Sequence, residues 1–176
     1  LHGGPVWQPS GGMEGGALQF DGIDDYLSTP FTLDPAAGSF SIFAWVKSSA
    51  RGQVIISQND QTGTRWLWTD PSHGRLITWL MHPPFDPLMS ESRITDGQWH
   101  HVGLVYDFEG LRRYLYVDGA QAAKDTDPAG GVSSKGGLYF GGEKTLGAGT
   151  FFSGLIDDVR IYKVALSAEE IAALAQ

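Results

Sequence analysis

A chain of 176 residues, 41% of them hydrophobic and 24 of them glycine, can bury one substantial core but not comfortably two. Its net charge of −8 argues against nonspecific binding to nucleic acid or anionic membrane, and no apolar run reaches the roughly 18 residues that a membrane span needs. Cysteine is absent, which excludes disulfides, thiolate metal sites and cysteine nucleophiles, and fits a bacterial extracellular module.

Residues 1–16 are rich in Gly and Pro, with Val6-Trp7 as the apolar pair, and read as an edge strand or extended arm. Ala17 to Phe20 is a first core strand, with Tyr26-Leu27 in its partner. Phe40 to Val46 is apolar on both faces, as a central strand should be. Gln53 to Gln58 and Arg65 to Thr69 are strands joined through Asn59 to Gly63. Leu76 to Met81 is another, ended by His82-Pro83-Pro84. From Trp99 to Lys124 the chain reads as a meander in which Val102, Leu104 and Tyr106 share one face. Asp118-Gly119 is its hairpin signal, because a primed turn needs the positive φ that Gly tolerates. Gly137 to Gly141 returns to the sheet, and Phe151 to Tyr162 is the last long strand. Ser167-Ala168-Glu169-Glu170 then forms a capping box for a short helix striped by Ile171 and Leu174.

Two acidic segments stand out: Phe20-Asp21-Gly22-Ile23-Asp24-Asp25-Tyr26-Leu27 and Gly154-Leu155-Ile156-Asp157-Asp158-Val159-Arg160-Ile161-Tyr162. Each sets carboxylates beside β-prone apolar residues, where an unpaired charge is expensive to desolvate. The two segments are best explained if they meet around a shared cation or a hydrogen-bond network. On a strand, Asp157 and Asp158 face opposite sides, so Asp157 is the expected ligand and Asp158 the expected partner of Arg160 or Arg113.

The second acidic segment runs on into Lys163-Val164-Ala165-Leu166-Ser167-Ala168-Glu169-Glu170-Ile171. With Trp99-His100-His101-Val102-Gly103-Leu104-Val105-Tyr106-Asp107 and Leu115-Tyr116-Val117-Asp118-Gly119, it closely resembles the laminin-G-like jelly-roll family of the concanavalin A-like lectin/glucanase fold. The resemblance spans about residues 16 to 174. It implies an all-β fold, a two-sheet antiparallel jelly-roll sandwich with a short C-terminal helix, in one domain over 1–176. It also implies a structural calcium tying the N-terminal strand to the last one, at the matching positions Asp21, Asp24 and Asp157. The alternative is that these aspartates cap turns without metal. His100-His101 becomes a structural part of a strand start.

The family includes lectins, adhesion modules and enzyme accessory domains, so function must come from residues. A sugar offers apolar C–H faces to aromatic rings and hydroxyls to polar groups. Trp66 and Trp68, two apart on a strand, share one face, and Trp79 on the next strand can join them. His82 and Asp60 are the polar companions. The alternative assigns these tryptophans to packing between the sheets. The glucanase pattern of this fold is Glu-x-Asp-x-Glu on one strand; it does not occur here, and no G-x-S-x-G elbow is present. The expectation is a noncatalytic module binding a poly- or oligosaccharide. It would be part of a larger secreted bacterial protein, extracellular or at the cell surface. A protein-binding adhesion or spacer domain is the rival.

Overall fold

The computed structural model describes residues 1–58, 64–80, 87–126, 133–142 and 147–176. Among these residues the strands form two antiparallel sheets. One contains, in spatial order, β1 (Val6–Gln8), β2 (Ala17–Asp21), β13 (Ser153–Tyr162), β4 (Phe40–Lys47), β9 (Trp99–Asp107), β10 (Arg112–Val117) and β11 (Ala120–Thr126). The other contains β3 (Leu27–Ser28), β12 (Leu138–Phe140), β5 (Val54–Gln58), β6 (Thr64–Thr69), β7 (Arg75–Thr78) and β8 (Leu88–Arg93). The short helix α1 spans Ala168–Leu174. This is the expected all-β sandwich with one short C-terminal helix.

Alternation along the strands builds the core between the sheets. Phe40, Ile42, Ala44 and Val46 of β4 meet Ile55, Ile56, Trp66, Leu67 and Leu76 from the opposite sheet, with Val102, Leu104, Tyr106 and Leu115 beside them. The rings of Phe40 and Trp66 lie 4.8 Å apart.

The second face of β4 is apolar because it too is covered. Phe43, Val105 and Tyr116 form a smaller cluster with Ile171 of α1, and Leu166 and Leu174 pack against it. The chain leading into the helix is pinned at Ser41, whose hydroxyl donates to Val164 O (2.8 Å) and accepts from Leu166 N (2.9 Å). The helix starts with the expected reciprocal cap: Ser167 Oγ accepts from Glu170 N, and the Glu170 carboxylate accepts from Ser167 N. At the β10–β11 hairpin, Asp118 (φ 51°) and Gly119 (φ 77°) both adopt the left-handed region that a primed turn requires.

Three expectations change. Tyr26-Leu27 does not partner Ala17 to Phe20. The turn at residues 21–25 carries the chain across to the other sheet, where Leu27 pairs with Phe140. Strand β8 is an addition, hidden in the sequence because only Leu88 and Met89 begin an otherwise polar edge strand. Trp66 and Trp68 do not share a face. Val54 pairs with Trp68 and Ile56 with Leu67, so β5 bulges at Ile55; Leu67 to Arg65 then spans one step of β5, so β6 bulges at Trp66. The two shifts cancel, and each lets two consecutive residues turn inward.

At the start of β9, His101 lies buried on the outer side of its sheet, its ring parallel to that of Phe43 at 5.3 Å and 5.2 Å from that of Trp45. Burial pushes its imidazole down to about 4. Its neighbour His100 is held between Asp118 Oδ2 (2.8 Å) and Asp96 Oδ1 (3.1 Å).

Trp66→Ala is expected to destabilise the fold by about 3–5 kcal/mol, as for other buried large aromatic truncations, measured by urea unfolding. His101 supplies a second expectation. Between its ordinary value of 6.5 and about 4, the unfolded chain takes up a proton that the native state refuses, so stability falls as pH falls through that window. His101→Phe, which keeps the ring on Phe43, is expected to remove roughly 3 kcal/mol of that loss, given ~1.4 kcal/mol per pH unit. Parallel unfolding curves of parent and variant near neutrality and near pH 4.5 check this, and comparison with the parent cancels the opposite contribution of His100.

Candidate functional site

The bulge at Trp66 decides what the outer face of the six-stranded sheet displays. Trp66 is fully buried in the core, whereas Trp68 packs on the outer side with Val54, Ile77 and Met89. Arg65 comes to that same outer side, its guanidinium carbon 4.8 Å from the centre of the Trp68 ring. On β7's continuation the backbone N–H of Trp79 donates to Arg65 O (2.9 Å). Trp79 is 42% exposed. Its ring stands edge-on to Trp68 at 6.0 Å and 83°, while the next residue, Leu80, is fully buried. One expected ligand residue, Trp79, therefore offers an accessible ring, a second, Trp68, supports it from behind, and the third, Trp66, belongs to the core. Asp60 and His82 lie outside the described residues. Arg65, which the sequence places near these tryptophans, completes the face; its spacing from Trp68 suits opposite faces on a regular strand, and the bulge brings the two together.

The acidic segments do not assemble as expected. Asp21, Asp24 and Asp25 bring one carboxylate oxygen each to within 4.8 Å of one another. Asp157 is elsewhere. Asp21 pairs with Ser153 in the β2–β13 ladder, and four further residues along β13 carry Asp157 roughly 13 Å away at ~3.3 Å per residue. Its Oδ2 accepts instead from the backbone N–H groups of Met13 (2.8 Å) and Glu14 (3.2 Å), tying down the N-terminal arm. Asp158 takes its expected role, paired with Arg160 through two oxygens at 2.9 and 2.7 Å.

Asp25 is the carboxylate that completes the cluster, and at 5% exposure it is buried where Asp21 and Asp24 are not. Its Oδ2 accepts from Asp21 N at 2.9 Å. Burial pushes its carboxyl above the ordinary value, and the charges of Asp21 and Asp24 push the same way, against the amide of Asp21. Asp21 moves down, chiefly because Ile23 N–H donates to it at 2.7 Å. The N-terminal residues close over the cluster. His2 pairs with Tyr26 through both backbone bonds and stacks on its ring at 4.3 Å. Gly3, at φ +79°, passes where a Cβ would lie 2.5 Å from Asp24 O and 2.6 Å from Asp25 Oδ1. Only glycine fits both the dihedral and the space.

Three carboxylates and a nearby carbonyl make a donor set of hard oxygens, suited to calcium rather than to a thiolate- or imidazole-seeking metal. The Asp25 carboxyl is raised first by its burial, and the neighbouring Asp21 and Asp24 charges add to that. The set therefore fits such a cation, with Asp25 where Asp157 was expected.

A family model described as the concanavalin A-like lectin/glucanases superfamily matches residues 21–172. The chain belongs to that superfamily. Solved members of the same architecture superpose over most of this lectin-like domain. Domain 4 of AbnA, an extracellular GH43 arabinanase from Geobacillus stearothermophilus solved with arabinotriose, is 20% identical with a TM-score of 0.73, over 99% of this chain and 82% of that one. The native heptameric SAP-like pentraxin from Limulus polyphemus is 18% identical with a TM-score of 0.63, over 89% and 84%. The binding domain of botulinum neurotoxin serotype G is 16% identical with a TM-score of 0.75, over 99% of this chain and 45% of that one. At these identities the likeness establishes the fold, and carbohydrate-binding domains are prominent among those who share it.

Proposed function

We propose that this superfamily member is a noncatalytic carbohydrate-binding module of a secreted protein, and that it takes an oligosaccharide on the outer face of the six-stranded sheet. The observation that carries the reading is Trp79. It is a large ring left accessible yet held edge-on by Trp68, with the Arg65 guanidinium alongside. A ring fixed before binding loses little rotamer freedom when a sugar stacks on it. The C–H face of a pyranose or furanose covers Trp79, and Arg65 donates to ring hydroxyls. A shallow face of this kind binds modestly, because it buries little area and must immobilise a flexible chain. The arabinotriose bound to the arabinanase domain makes that sugar the first probe.

Calcium belongs to the same reading, as a structural ion held by Asp21, Asp24 and Asp25. Bound there, it would supply the positive charge that three crowded carboxylates lack, and fasten the N-terminal arm over the turn at residues 21–25. Extracellular modules work with sites of about 10⁻⁴–10⁻³ M affinity, which suits a cluster with two exposed members and a protein exported from the cell.

Titration calorimetry with arabinotriose and a panel of neutral oligosaccharides tests the first part. Trp79→Ala is expected to abolish binding with the unfolding midpoint nearly unchanged, because its ring is accessible. Binding that survives this variant, or silence across the panel from the folded parent, would overturn the sugar face and favour a protein-contacting module. Thermal unfolding with calcium and with chelator tests the second part. Asp25→Asn keeps an acceptor for Asp21 N and removes a disfavoured buried charge. A carboxyl raised in the folded state loses stability as pH rises from 3.8 through its folded value, so the variant is expected to be more stable than the parent in chelator near neutrality. In calcium the order is expected to reverse, the parent gaining and the variant not. A parent midpoint indifferent to calcium would remove the ion from the account.

A further inference from the structure

The outer face of the seven-stranded sheet is covered only in part. Helix α1 and its leading segment pack on Phe43, Val105 and Tyr116, at the β4–β9–β10 side. Toward β1 and β2 the same face carries an open groove of about 630 Å³, lined among others by Gln8, Gln19, Leu155, Lys47, Ser49 and Asp21. The register explains the lining. Gln19 pairs with Leu155, Leu155 with Lys47, and Lys47 with Trp99. Side chains at paired positions point the same way, so these four form one row across β2, β13, β4 and β9. Beside the row the groove is lined by small residues, Gly11, Gly97 and Gly154 together with Ser48 and Ser153.

We propose that this groove is a second ligand site, for an acidic oligosaccharide. It goes beyond the Trp79 face and does not rest on it. Gln8 donates its amide to Gln19 Oε1 at 2.6 Å, which fixes the two side chains against each other. That bond leaves the Gln8 carbonyl to accept and the Gln19 amide nitrogen to donate, the complement that a sugar hydroxyl needs in its two roles. Leu155, between Gln19 and Lys47, gives an apolar patch for a ring's C–H face, and partly exposed Trp99 extends it beyond Lys47.

Lys47 sets the ligand's charge. Its ammonium has no ion-pair partner among the described residues, on a chain whose net charge is −8. Asp21 lies at the far end of the groove, two strands over and two residues along, or roughly 12 Å by strand spacing and rise. That exceeds the Debye length of about 8 Å at physiological ionic strength, so Asp21 neither neutralises Lys47 nor strongly repels an anion beside it. A carboxylate or sulfate on one ring would sit at Lys47, and the neighbouring ring's hydroxyls would reach the glutamine pair.

Calorimetry on the intact chain, in chelator so that no calcium bridge to Asp21 can form, tests this. The probes are trigalacturonate, a sulfated galactose trisaccharide and neutral arabinotriose. Trigalacturonate, the sulfated sugar or both are expected to bind, more weakly as salt rises. Lys47→Gln is expected to lower that affinity at least tenfold and flatten the salt dependence, and Gln19→Ala to lower it several-fold. Trp79→Ala is expected to leave acidic-sugar binding unchanged while removing that of the neutral probe. No acidic-sugar binding by the parent, or full binding by Lys47→Gln, would overturn the proposal. Loss of acidic-sugar binding in Trp79→Ala with retention in Lys47→Gln would also overturn it, moving that ligand to the opposite sheet.

Discussion

The demand of the core for two large consecutive side chains at Trp66 and Leu67 governs much of what this molecule shows to solvent. A regular strand can send only alternate residues inward. Placing both Trp66 and Leu67 in the core requires an extra residue in β6, and the matching extra residue at Ile55 lets β5 keep its register. The consequence on the outside is that Arg65 and Trp68 arrive on one face, where a plain alternation would have separated them. The surface that presents Trp79 is thus a by-product of how the interior is filled. Bulges cost ladder regularity and recur near binding and active sites because they re-aim side chains in this way.

A second dependency runs through β13. Among the described residues it is the only neighbour of β2 besides the edge strand β1, so the N-terminal arm joins the sandwich through the last long strand. Asp157 adds to this seam by holding the amides of Met13 and Glu14. The groove along Gln19, Leu155 and Lys47 crosses the same seam. The acidic turn hangs from its end, at the Asp21–Ser153 pair. One strand's register therefore sets the arm, the groove and the position of the carboxylates together. The left-handed Asp158, at φ 43°, marks where β13 gains a residue relative to β4 so that its later half can face α1.

Local signals were the legible ones. The reciprocal cap at Ser167 and Glu170, the Asp118-Gly119 turn and the doubly apolar β4 each depend on a few neighbouring residues, and each appears where the sequence placed it. The acidic cluster was legible in part. Asp21 and Asp24 lie together because one turn holds them, and Asp25 was visible in the same run of residues. Asp157 was assigned to them on a relation across 136 positions, and nothing in the composition of β13 reports that it slides four residues past Asp21. Trp66 failed for a related reason. A pattern with a period of two has no mark for an inserted residue, so a bulge inverts the face of everything on one side of it. The polar strand β8 was missed because an edge strand satisfies its outward groups with water and needs few apolar residues.

The order of the strands also bears on how the chain is made. Synthesis releases the N-terminal arm first, yet the backbone partner of β2 within the main sheet is not complete until residue 156 has emerged. Until then Leu18 and Phe20, which end up against the core, have only the short edge strand β1 beside them. Contacts of such long sequence separation form late and slowly, and a strand with one edge left open is a template for pairing with another chain. The glycines, prolines and polar residues that flank this arm keep it short and unattractive as such a template. This stretch of chain, halted before β13, would hold most of its strands with the β1–β2 ribbon still unattached, a form open to aggregation and to proteases.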